Sequence, residues 1–113
     1  MLAKILTALT LMAGAAFGQP PTKVTVGVTN SATDVGFFIA HKKGYYRDEG
    51  IDTQFVVFDS AARMIAPLAS GDLDVGAGGI SAGLYNAVAR GIDVRMVADK
   101  NSTPPGRAST KLL

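Results

Sequence analysis

Residues 23–28 (KVTVGV) alternate apolar and polar side chains, the period-two pattern of a strand. A polar loop follows, Thr29-Asn30-Ser31-Ala32-Thr33-Asp34, rich in residue types that cap helices. From 35 to 43 the period becomes helical. Val35, Phe38, Ile39 and Lys42 share one side, and Gly44 is the expected stop. Lys42 and Lys43 fall in the last turn, where the helix dipole favours cations. The segment YYRDEG, ending at Gly50, predicts a turn with a partly buried aromatic pair. Residues 51–58 (IDTQFVVF) predict a second strand, and Asp59 the N-cap of a helix over 60–70 whose apolar stripe includes Ile65, Leu68 and Ala69. Pro67 should kink or shorten that helix. Gly71-Asp72 then turns into a short third strand at 73–77 (LDVGA). Gly78-Gly79 leads into a helix from about 80 to 90, with Gly91 at its C-terminal cap, and 92–98 contains a fourth strand.

Strands alternating with helices predict an α/β fold, a mostly parallel sheet with right-handed crossover helices. The runs FVVF and VRMV are apolar enough for strands covered on both faces. Ahead of this pattern stands MLAKILTALTLMAGAAFGQP, with one charge at Lys4, an apolar stretch from Ile5 to about Ala16 and the small-x-small triplet Ala16-Phe17-Gly18. That layout predicts a secretory signal peptide over 1–18, with cleavage after Gly18, and export of residues 19–113 from the cytoplasm. The apolar run is shorter than the roughly 20 residues a membrane span needs.

Composition narrows the chemistry. The chain has 113 residues, 48% of them hydrophobic, which argues one globular domain and against disorder. It has no cysteine and one histidine, His41, so thiolate metal sites and multi-imidazole sites are excluded. The charge of +2, from 11 basic and 9 acidic residues, is too even for a nucleic-acid surface. Catalysis finds little support. His41 lies on a helix away from the loops, and Ser31, Ser60 and Ser81 have no histidine placed to activate them. The stretch GAGG lacks the third glycine of a dinucleotide fingerprint, because Ser81 stands in its place. Neither an enzyme nor a cofactor is predicted.

In open α/β sheets, ligands bind beyond the carboxyl ends of the strands. The loops there are 29–34, Asp59-Ser60 and Gly78-Gly79-Ile80-Ser81. Each brings backbone N–H groups at a helix N-terminus together with hydroxyl or amide side chains, a setting for a small anion or polar metabolite. Asp34, Asp59 and Ser81 are equally the residue types that cap helices with no ligand present. Arg63 has two readings, partner of an anionic ligand or exposed arginine.

Three segments carry a resemblance: AHKKGYYRDEGID at 40–52, LASGDLDVGAGG at 68–79 and ARGIDVRMVAD at 89–99. Over residues 23–99 the chain resembles the N-terminal part of the periplasmic solute-binding proteins of ABC transporters, in the nitrate, sulfonate, taurine and thiamine-precursor branch. The resemblance implies a type II, two-lobed binding fold that traps a small-molecule ligand and delivers it to an ABC permease in the inner membrane. It also implies ligand contacts at Asn30, Ser31, Asp34, Ser60, Gly79, Ile80 and Ser81. Members of that group have a second lobe, so this chain is expected to be a partial N-terminal lobe, a fragment that binds weakly alone. The cysteine-dependent pyrimidine-synthase relatives do not fit a chain without cysteine. Two other classes stay open: an enzyme on the same scaffold, and a partner-binding fragment that completes its sheet against another chain.

Overall fold

The computed structural model describes residues 19–100, 102 and 105, and the export signal read at 1–18 lies outside them. Strand β1 is Thr22–Val28 and β2 is Ile51–Val57. They run parallel and pair along their whole length, from Thr22 opposite Ile51 to Val28 opposite Val57. On the other side of β1 lies β3, only Val75–Gly76, also parallel, so the order is β2-β1-β3. The connections are helical, as the alternation of periods requires. A 3₁₀ turn, Ala32–Asp34, feeds α1, Val35–Lys43, and α2 is the single turn Tyr45–Asp48. A second 3₁₀ turn, Ala61–Met64, feeds α3, Ile65–Ser70, and α4 is Ala82–Ala89.

The core forms where β1 is covered by helices. Val26, Val28 and Ala77 are buried, with Val24, Phe37, Phe38 and Phe55 against them, and Met64, Leu73 and Ala87 are buried as well. Phe38 meets Phe55 edge to face with ring centroids 5.1 Å apart, and His41 meets the same ring at 5.4 Å. Gly44 ends α1 in the left-handed region at φ 81°, as its position after the lysines predicts.

Several local expectations are corrected. The face of α1 against the sheet is set by Phe37, Phe38 and His41, whereas Val35 and Ile39 stand exposed. Helical spacing alone allowed either face, and two aromatic rings bury more area than Val and Ile. The helix expected over 60–70 divides at Ile65. Pro67 cannot donate a hydrogen bond to the carbonyl four residues earlier, and the tighter 3₁₀ turn precedes it. Ser60, not Asp59, occupies the N-cap position of that turn. Asp59 is exposed and sits 3.8 Å from Arg63, a contact between solvated groups worth little. β2 is an edge strand with Val56 and Val57 exposed, so its apolar run is not covered on both faces.

The fourth strand does not form. Residues 92–99 carry no strand pairing, and Met96 and Val97 are largely exposed. The Val94 N–H bonds to the Ile92 carbonyl at 2.9 Å, a three-residue turn that takes the chain off an extended course. β3, with two residues, also offers a very short edge for pairing.

Candidate functional site

Because all three strands are parallel, their carboxyl ends lie along one edge of the sheet, and each continues into a helical turn there. This edge holds every residue nominated from the sequence. Asn30, Ser31 and Asp34 stand after β1, Ser60 after β2, and Gly79, Ile80 and Ser81 after β3. Backbone bonds tie the strand ends together: Phe58 N–H to the Val28 carbonyl and Ala77 N–H to the Gly27 carbonyl, both at 2.8 Å.

The second and third loops touch. A Cβ on Gly78 would lie 2.4 Å from Ala61 Cβ and 2.9 Å from Ala61 Cα, far inside van der Waals contact. Glycine is therefore required there by the approach of the two loops. Gly79 differs. A Cβ at that position would meet no atom within 4 Å, so its surroundings are open space.

The first loop is organised by Asp34, which is fully buried. One oxygen, Oδ2, accepts hydrogen bonds from the Ser31 N–H at 2.9 Å, the Thr29 N–H at 3.1 Å, and the hydroxyls of Ser31 and Thr29 at 3.1 and 3.2 Å. The other, Oδ1, accepts from Lys100 Nζ at 2.6 Å. The same ammonium donates to the Ala77 carbonyl at 2.7 Å. Burial by itself pushes the Asp34 carboxyl pKa up. The Lys100 hydrogen bond and charge, with the Ser31 bonds, outweigh it and hold the pKa at about 2, below the ordinary 3.8. Asn30, just before this cluster, takes the left-handed backbone at φ 58°, a conformation Asn tolerates better than most residues.

Along this edge Asn30, Ser31, Ser60, Gly79 and Ile80 are exposed. Ser81 is half-buried, and its hydroxyl accepts from the Leu84 N–H at 3.3 Å, a standard N-cap for α4. Ser81→Ala should therefore cost about 1 kcal/mol of stability, measured by urea unfolding, and Ser81→Asp should restore most of it. Lys100 was not legible as a site residue, since the stretch after Asp99 shows no periodic pattern. The only signal was indirect: a carboxylate sunk in the fold needs a cation, and the sequence does not say which one.

Two other concave regions are present, one at the opposite end of β2 and one adjoining this edge through Ala62 and Gly83. His41, Tyr46, Arg47, Ile51, Asp52 and Thr53 line a cleft of about 250 Å³ where β2 begins. In it His41 Nδ1 and Thr53 Oγ1 share a hydrogen bond of 2.6 Å, and burial pushes the Tyr46 phenol up. An apolar groove of about 380 Å³ separates α3 from α4, bordered by Ile65, Ala66, Ala87 and Ile92. Among the described residues no group of three or more His, Cys, Asp or Glu is placed to hold a metal ion, and no helix is long and apolar enough to cross a membrane.

The family model described as NMT1/THI5 like matches residues 31–111, from the first loop of this edge through Lys100 and beyond. No curated protein and no solved structure matches the chain.

Proposed function

The chain belongs to the NMT1/THI5-like family of ABC-transporter solute-binding proteins, and from that premise we propose that its three strand-end loops form one wall of a solute-binding cleft. The family's fold is that of periplasmic binding proteins, in keeping with the parallel α/β sheet. Most of its members bind without catalysis, whereas its THI5 homologues are enzymes. We read this chain as a binder. The lone histidine is hydrogen-bonded to Thr53 where β2 begins, and the carboxylate beside the Ser31 hydroxyl, Asp34, is held ionised by Lys100 and two backbone N–H groups, which makes it a weak base.

The observation that carries the reading is that exposed hydroxyl, amide and glycine positions follow all three parallel strands on one edge, where a buried, fully bonded carboxylate fixes the first loop. In this reading Asn30, Ser31, Ser60, Gly79, Ile80 and Ser81 face the solute, and Asp34 shapes the first loop from behind. The first N–H groups of the helical turns supply donors, which favours a small oxyanion or polar heterocycle: a sulfonate, nitrate or a pyrimidine-like precursor. Export to the periplasm through residues 1–18, and delivery to an inner-membrane permease, complete the proposal.

A thermal-shift panel of an alkylsulfonate, nitrate and an aminopyrimidine tests it. A ligand that binds only the folded state raises the melting temperature with concentration. Gly79→Ala sharpens the test. The open space around Gly79 predicts unchanged stability without solute, while a methyl in the path of a bound solute should weaken binding roughly tenfold. No shift with any class, up to millimolar solute, would overturn the assignment.

A further inference from the structure

We propose that Lys100 is a positioning residue of the wall, clamping its first loop to its third. The inference rests on reading these loops as a solute wall and adds what fixes their separation. Lys100 stands 66 residues after Asp34, yet its ammonium bridges Asp34 Oδ1 and the Ala77 carbonyl at 2.6 and 2.7 Å. Each end of that bridge is itself anchored. Asp34 passes the restraint to the Thr29 and Ser31 N–H groups, on either side of Asn30. Ala77 is the residue before Gly78-Gly79, and its own N–H is held by the Gly27 carbonyl. Among the described residues no other side chain joins these two loops.

The chemistry of the group suits the task. An ammonium is a compact charge with three donors pointing in different directions, so it can serve a carboxylate and a carbonyl at once. The Lys100 side chain is 21% exposed and its partner fully buried, so the pair sits at the boundary between solvent and core. The segment 92–99, which forms no strand, thereby acquires a role as the strap that carries Lys100 back from the end of α4.

The test needs no solute. Amide hydrogen exchange is followed by NMR in the full 113-residue chain, in Lys100→Met and in Lys100→Arg. Lys100→Met should speed exchange at Thr29 and Ser31 by about tenfold more than at Val26 and Val28 of the core strand. It should also raise the Asp34 titration midpoint, and Lys100→Arg, which keeps the charge, should fall between. If Lys100→Met does not fold, Lys100→Gln is compared in the same way. Exchange at Thr29 and Ser31 that changes only in step with Val26 and Val28 overturns the clamp and leaves Lys100 a general stabiliser. A wild-type chain that binds none of the solutes, together with the local loosening in Lys100→Met, overturns the solute wall and keeps the clamp.

Discussion

Asp34→Ala should be the most damaging single change outside the apolar core, lowering stability by about 3 kcal/mol or more in urea unfolding. The substitution removes the acceptor of two backbone N–H groups and two hydroxyls, and strips Lys100 of its counter-charge. Against a usual total of about 5–15 kcal/mol for a whole domain, a loss of that size removes roughly a fifth to three-fifths of the margin. Asp34→Asn keeps the shape and an acceptor but lacks the charge, and should cost less, about 2 kcal/mol. The same network sets an acid limit. The Asp34 pKa is lowered in the fold, to about 2 from 3.8, so the folded state binds this proton more weakly than the unfolded chain. Its contribution, about 2 kcal/mol, is complete above pH 4 and is lost as pH falls from about 4 to about 2. Stability against pH should therefore be steeper for the wild type than for Asp34→Asn across that window.

Gly78→Ala is the second large effect. The new methyl would meet the Ala61 Cβ at 2.4 Å and its Cα at 2.9 Å, and neither atom can swing aside without moving the backbone. Overpacking of this kind costs about 1–3 kcal/mol, and the relief available is to move the second and third loops apart. Solute binding should fall further than stability alone explains, because the wall itself is displaced. Gly79→Ala, one residue on, is the control: the same methyl has open space. Equal stability losses in the two variants would contradict the packing described.

The contrast between these neighbouring glycines shows where sequence reading reaches its limit. A glycine pair omits side chains where backbones can approach closely, yet only the fold tells that Gly78 meets Ala61 and that a Cβ at Gly79 would meet nothing within 4 Å. The alternation of periods made β1, β2 and the helices legible, because one-face burial imposes those periods directly. With the strands parallel, the common edge of the loops followed from topology. Residues 92–98 were misread for a different reason. Their β-branched and apolar content satisfies a strand, but pairing depends on the length of the neighbouring edge, and β3 offers two residues. Lys100 was hidden because its partner lies 66 residues away and no local pattern marks it. The α1 face went astray because helical spacing groups Val35 with Ile39 as readily as Phe38 with His41, and the sheet chose the aromatic side.

The central claim, that three separate loops act as one solute-facing wall, is tested most directly by NMR titration of the full chain with the solute that gives the largest thermal shift. The account predicts that amides of Ser31, Ser60 and Gly79 move together and fit one dissociation constant, while His41 and Thr53 at the far end of the sheet stay still. Movement confined to the cleft around His41 and Thr53, or separate constants for the three loops, would contradict it.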